Sequence, residues 1–443
     1  MENTPFSSHL WMSRYGLLLR NGSSFLGARP LRILQPSGQP ELPTQLPTPS
    51  WLNASAYNPS LAAVPPSLQT ELRCPRCAYV ATLRVDWATG CTGELLKRLR
   101  RKIATNPLGL RKRTLVLLVD ARFSLVASGW LQDVEPAVWA RDTAPPPLHD
   151  RRRLDAAASV YDARLHVSPD AQLWLAGLRA GPKGTEDVTG LAPLHLRRRG
   201  TTLAAWQRPA ETLTVTRGSK CAGRSFAFFS GDDAAARAGE LRYFSWLAPT
   251  AVVCALPPPP IAGGARPQPR VAFDNNDGRL ERLLDELRGR GSCRVQAHTR
   301  MKQPREASAK RCRLSLNGVL LRVPEWGGAL LGVGHLHRGH REWLDGAKVN
   351  GGPNGVTFGG HHYTHFWFKA AAAPPHELLA VSSEFCLGAA RAGGPDCEAV
   401  QYLAGLARAP GSDRLLLSFG VNDCSHRLLA TDLGAVGDDL RPL

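Results

Sequence analysis

Short apolar runs, each ending in glycine and one or two polar side chains, recur along the chain. Leu415 to Asp423 reads LLLSFGVND, Ala329 to Arg338 reads ALLGVGHLHR, and Ser225 to Asp233 reads SFAFFSGDD. Leu173 to Leu178 and Leu115 to Asp120 repeat the apolar part, and Tyr79 to Asp86 alternates apolar with polar. Runs of this length are strands: continuous apolar ones are buried on both faces and alternating ones on one. Many short strands separated by Gly/Pro-rich turns, each carrying polar groups to one rim, predict a radially repeated all-β architecture, a β-propeller.

Between these runs the text is looser. Ala144 to Leu148 and Leu256 to Pro260 are proline-rich loop insertions. Leu95, Leu96, Leu99 and Ile103 share a helical face, so that segment is a short basic helix or a decorated loop, and Leu280, Leu283, Leu284 and Leu287 line an amphipathic helix with Asp277 as N-cap. Residues 1–50 hold arginines and serines and a single acid before Glu41, the composition of a leader: an organelle transit segment or an unprocessed tail. Residues 51–443 read as a single propeller domain, with short helices and loops as insertions. The compartment stays open among an organelle, the secretory lumen and the cytoplasm, and the sequence does not indicate an oligomeric state.

Composition changes the picture little. Among 443 residues, 42 Gly and 35 Pro fit a turn-rich fold, and 11 Trp with 13 Phe fit a packed one. The formal charge of +18 would suit a polyanion, but the basic runs at 97–102, 111–113, 151–153 and 197–199 are scattered and lack interleaved aromatics, which disfavours a nucleic-acid partner. No apolar stretch reaches the roughly 18 residues of a membrane-spanning helix.

The ten cysteines include one close pair, Cys74 and Cys77, without the second pair a zinc ribbon needs, so scattered thiols are expected. His335 and His337 share a strand face, but no carboxylate stands at a suitable spacing, and no metal or cofactor is expected. Nucleophile elbows, phosphate loops and dinucleotide fingerprints are absent. What remains is a set of charged groups at strand ends: Asp86, Asp162, Arg164, Asp274, His335, Glu398 and Asp423. Converging carboxylates are what glycosyl chemistry uses.

Taken in order, the motifs resemble the five-bladed propellers of β-mannoside phosphorylases and related mannosyltransferases. Asn58-Pro59-Ser60 with Arg84-Val85-Asp86 is similar to that family's Asn-Pro-Ala turn and its strand ending Arg-Val-Glu or Arg-Val-Asp. Tyr161-Asp162-Ala163-Arg164 resembles its Glu-Asp-Pro-Arg, with Ala163 in place of proline. The strand ending at His335 resembles the one presenting His-Gly, with Leu336 for the glycine. Tyr363 opens a hydrophobic strand like the family's, and Ser418 to Asp423 is similar to Tyr-Tyr-Gly-Ala-Ala-Asp. The family's proton-donating aspartate falls near Thr89, which leaves Asp86 as the nearest acid.

The resemblance implies five blades and an enzyme of glycosyltransferase, glycoside phosphorylase or hydrolase type, acting on a mannoside-like saccharide with phosphate or a nucleotide-sugar. Asp86 would be the general acid, relaying its proton through a sugar hydroxyl. Asp162 and Asp423 would hold hydroxyls, while Arg84, Arg164, Arg224 and His335 would hold phosphate or diphosphate. Asn58, Tyr363 and Glu398 complete the expected substrate-binding set. The degraded motifs leave open an alternative, a carbohydrate-binding or scaffold propeller without turnover.

Overall fold

The computed structural model describes residues 32–34, 45–50, 54–86, 113–133, 160–168, 170–179, 188–208, 211–215, 226–230, 240–247, 251–256, 269–275, 294–295, 311–339, 361–387, 401–421 and 425–443, with positions 43, 52 and 221. The helices read at Leu95 to Ile103 and Leu280 to Leu287 lie outside them.

The strands are β1 (Arg32–Leu34), β2 (Ser55–Ala63), β3 (Tyr79–Asp86), β4 (Arg113–Val119), β5 (Leu125–Gln132), β6 (Val160–Val167), β7 (Leu173–Arg179), β8 (Val188–Pro193), β9 (His195–Arg199), β10 (Thr202–Trp206), β11 (Leu213–Val215), β12 (Ala227–Ser230) and β13 (Leu241–Trp246). They continue as β14 (Ala251–Leu256), β15 (Arg270–Asn275), β16 (Arg294–Val295), β17 (Arg311–Val323), β18 (Ala329–Gly339), β19 (His361–Ala370), β20 (Leu378–Ser382), β21 (Phe385–Leu387), β22 (Gln401–Arg408), β23 (Arg414–Val421), β24 (Ser425–Asp432) and β25 (Leu440–Pro442). Two short helices, α1 (Pro66–Glu71) and α2 (Leu433–Asp439), decorate them.

These strands form five sheets, the blades of a five-bladed β-propeller. Blade one is β2-β3-β4-β5, widened by β10 and β9; blade two is β6-β7-β8-β11; blade three is β12 to β15. Blade four is built on β17-β18-β19, with β20 and β21 both pairing β19, and blade five is β22-β23-β24. Within the 1–50 segment, β1 pairs in parallel with β21 of blade four.

Two-sided burial explains why the strands are so apolar. Five hydrophobic clusters lie between successive blades, and together they close a ring. Val80, Val116 and Leu118 meet Val160, Leu173 and Leu175 between blades one and two. Trp174 and Leu191 meet Phe226, Phe228 and Tyr243 between two and three. Phe229 and Phe244 meet Phe366 and Phe368 between three and four. Val333 and Trp367 meet Leu417 and Phe419 between four and five. Leu416 and Leu428 meet Leu83 and Leu115 where blade five returns to blade one. Leu415 and Leu417 therefore face blade four while Leu416 faces blade one, the period-two alternation of a strand buried on both sides.

The cysteine expectation needs correction. Cys74 pairs with Cys77 in the turn after α1, and Cys221 pairs with Cys254 of β14. Both pairs are enclosed in inter-blade clusters; Cys74 and Cys77 are three residues apart in one turn, while packing brings Cys221 within bonding reach of Cys254, 33 residues on. No free cysteine remains among the described residues.

Candidate active site at the propeller axis

Four innermost strands share a local distortion. The register slips between Tyr57 and Ser60 in β2, between Tyr161 and Arg164 in β6, between Leu316 and Leu320 in β17, and between Leu403 and Gly405 in β22. Three of these bulges contain a positive-φ residue: Asn58 at 47°, Asp162 at 51° and Gly318 at 78°. Asn, Asp and Gly are the residue types that adopt this conformation at least cost. A bulge re-aims a side chain that regular pleating would send into a blade interface.

The bulges of blades one and two bring Asn58 and Asp162 together. Asn58 Nδ2 donates to Asp162 Oδ1 at 3.0 Å, and Arg84 Nη1 of β3 donates to both carboxylate oxygens at 2.9 and 3.0 Å. The Arg84 guanidinium lies between two tyrosine rings, 4.8 Å from the centroid of Tyr57 and 5.1 Å from that of Tyr161. Burial opposes the charge on Asp162. Arg84, Arg164 and the Asn58 amide outweigh it and hold the carboxyl below its ordinary range.

Arg164 reaches the other way. Buried to 5% exposure, it donates from Nε to the Asn317 carbonyl of blade four and from Nη1 to the Ala163 carbonyl, each at 2.9 Å. Its guanidinium lies 5.0 Å from the ring centroid of Tyr402, on β22. No salt bridge or hydrogen bond occupies Nη2 among the described residues. Beyond Tyr402 stand His335 and Tyr363: His335 is edge-on to both tyrosine rings, at 5.3 Å from Tyr363 and 5.4 Å from Tyr402. Asn317 Oδ1 lies 3.1 Å from His335 Nδ1. Gly318 permits this crowding, because a Cβ there would sit 3.1 Å from Arg164 Cγ and 3.2 Å from the Phe226 carbonyl of blade three.

The axial cluster thus holds Asn58, Arg84, Asp162, Arg164, His335 and Tyr363 of the residues singled out in the sequence. Asp86 ends β3, two positions beyond Arg84 and opposite Ser55 in register. Its side chain, and all of Arg224, Glu398 and Asp423, lie outside the described residues. Asp274 is a correction: it is exposed on β15, the outermost strand of blade three, and so does not join the other charged groups at the axis. Sequence reasoning missed Tyr57, Tyr161, Asn317 and Tyr402. The repeated Tyr-Asx pair at 57–58 and 161–162 was the available signal for two of them; Asn317 and Tyr402 carry none.

The cluster offers cations, aromatic walls and one ionised carboxylate. Two arginines face that one carboxylate, so the described groups sum to net positive and favour an anion. Guanidinium forks match phosphate oxygens and tyrosine rings suit the apolar face of a sugar. Among the described residues no group of three or more His, Cys, Asp or Glu side chains is placed to hold a metal ion.

Neither a protein-family model nor a curated protein matches the chain. Solved structures similar to it include MPT-4, a mannose phosphorylase from Leishmania mexicana, at 10% identity and a TM-score of 0.44, covering 96% of this chain and 94% of that one. The β-1,2-mannobiose phosphorylase of Listeria innocua aligns at 12% identity and a TM-score of 0.42, over 92% of this chain and 98% of that one. MPT-1, a GDP-Man-dependent mannosyltransferase from L. mexicana, aligns at 8% identity and a TM-score of 0.39, over 86% and 85%.

Proposed function

We propose that the axial cluster is a carbohydrate site that transfers, phosphorolyses or hydrolyses a mannoside-like sugar, with phosphate or a nucleotide-sugar as the anionic partner. The observation that carries this reading is Arg164. It is a buried guanidinium held by two carbonyls and a tyrosine ring, with Nη2 unclaimed among the described residues, beside a carboxylate already engaged by Arg84. Arg164 and Arg84 share the single carboxylate of Asp162, and a buried cation in excess is expensive unless a further anion joins it. The motif resemblance of Asn58-Pro59-Ser60, Arg84-Val85-Asp86 and Tyr161-Asp162-Ala163-Arg164 supports the sugar assignment.

Roles follow from charge. Asp162, held ionised and accepting from Arg84 and Asn58, is unsuited to donate a proton and is assigned to substrate hydroxyls. Asp86 is assigned as general acid, with a sugar hydroxyl relaying the proton. Arg84, Arg164, Arg224 and His335 form the anion-facing set, with Tyr363, Glu398 and Asp423 completing the sugar contacts.

The test is turnover. Incubated with mannose 1-phosphate or GDP-mannose and a mannose acceptor, the protein should form a mannoside, and Asp86→Asn should lower the rate at least about a hundredfold, the scale of a lost general acid. Binding without turnover in either protein would instead support the non-catalytic alternative. Equal turnover by both would remove Asp86 from the mechanism.

A further inference from the structure

We infer that a rigid patch of arginines at the outer edge of blade one is a docking surface for an anionic lipid bilayer. The arginines come from two places in the chain. The turn after α1 supplies Arg73 and Arg76, and the edge strand β9 supplies Arg198 and Arg199. Arg198 joins the two: its Nη2 donates to the Arg73 carbonyl and its Nη1 to the Gly200 carbonyl, each at 2.9 Å. The basic run at 197–199, isolated in the sequence, thus lies against a second basic pair, with 125 residues between Arg73 and Arg198.

The patch outnumbers its acids. Arg73, Arg76 and Arg199 are exposed, and among the described residues none of them makes an ion pair. Arg198 spends its donors on carbonyls, which leave its charge uncancelled. Glu71 is the single acid of residues 66–78, and β9 has none.

The arginines are also held still. The Cys74–Cys77 disulfide closes the turn with both cysteines buried, so Arg73 and Arg76 project from a fixed loop. Arg73 adopts a φ of 48°, where glycine is the least costly residue. A long cationic side chain held there at a cost is expected where the surface uses it.

A lipid surface fits these features better than a polynucleotide. Strand binding uses aromatic side chains as stacking platforms, and the rings of the neighbouring strands, Tyr79 of β3 and Trp206 of β10, are buried. Each basic residue close to an anionic bilayer contributes about 1 kcal/mol, and the overall charge of +18 adds long-range attraction. Docking of this kind needs no membrane-spanning segment, and it stands apart from the sugar reading.

Sedimentation of the full chain with vesicles tests the inference. The protein should pellet with vesicles of phosphatidylcholine and phosphatidylserine but not of phosphatidylcholine alone, and binding should weaken as salt rises. Replacing the exposed arginines together, as Arg73→Glu, Arg76→Glu and Arg199→Glu, should leave the thermal transition in place and weaken that binding at least about tenfold. Arg151→Glu, Arg152→Glu and Arg153→Glu make the same charge change elsewhere in the chain and should weaken it much less. Equal losses in the two variants, undiminished binding in the first, or no binding by the parent would overturn the docking surface. Tighter binding of the parent to a single-stranded oligonucleotide than to the anionic vesicles, at the same salt, would overturn the lipid assignment.

Discussion

Asn58 shows how little freedom the axial residues have. Its positive φ and its bond to Asp162 are compatible only with a glycine at position 420 on β23, where a Cβ would fall 2.1 Å from Asn58 Oδ1 and 2.9 Å from its backbone nitrogen. Gly420→Ala should therefore cost about 1–3 kcal/mol by urea unfolding, an overpacking penalty, and should lower affinity for the sugar through displacement of Asn58. Arg84→Met removes the Nη1 donor that meets both Asp162 oxygens and leaves only Arg164 and the Asn58 amide to support that carboxylate; a loss of up to about 3 kcal/mol is expected, since one member of a largely buried ion pair is gone. Asp162→Asn in that background should recover part of it. If Arg84→Met is as stable as the parent, the ion pair is not what holds blades one and two at the axis.

Buried groups inside the blades make stability depend on pH. Burial pushes His166 of β6 down to about 4, with Asp170 opposing only in part, and pushes His365 of β19 down to about 3. Both rings are neutral when folded but bind protons below about pH 6.5 when unfolded, so the unfolded state holds more protons between those limits. Stability is accordingly retained above pH 6.5 and lost as pH falls toward 4, by about 1.4 kcal/mol per pH unit for each histidine once well below 6.5. Urea midpoints at pH 7.5 and 5.0 test this: the midpoint should fall at 5.0, and less so in His166→Gln. Equal midpoints would contradict it. The two disulfides should also differ, because the Cys221–Cys254 closure spans 33 residues and the Cys74–Cys77 closure only 3. In the chain-entropy account, removal costs about 4 and about 2 kcal/mol respectively.

At this scale the sequence was most legible. Leu415, Leu416 and Leu417 announce a two-sided strand because burial on both faces removes every polar position. Tyr79 to Asp86, in contrast, reads as a half-buried alternating strand but is buried on both faces, Tyr79, Ala81, Leu83 and Val85 on one side and Val80 and Thr82 on the other. Asn317 and the Cys221–Cys254 pair were not legible, since their partners come from elsewhere in the chain and carry no local pattern, whereas the close spacing of Cys74 and Cys77 was visible and was weighed only as a zinc site. Asp274 misled for a related reason: a strand-end acid looks the same on an innermost strand as on an outermost one.

For the whole molecule, closure of the ring is what makes a site. Hydrogen bonds between blades gather at the axis: Ser60 Oγ accepts from Leu165 N, Ser418 Oγ donates to the Pro59 carbonyl, and Asn317 Nδ2 donates to the Leu403 carbonyl. They fix four inner strands in one arrangement, so residues more than a hundred positions apart, such as Asn58 and Asp162, meet within hydrogen-bond distance. The central claim is that this arrangement leaves Arg164 poised for an anion attached to a sugar. Titration calorimetry with mannose 1-phosphate measures it most directly, comparing the parent with Arg164→Gln whose thermal transition shows it is folded. The account predicts saturable binding to the parent that weakens at least about tenfold in the variant, the scale of one charge-assisted hydrogen bond. Undiminished binding in the folded variant, or none to the parent, would contradict it.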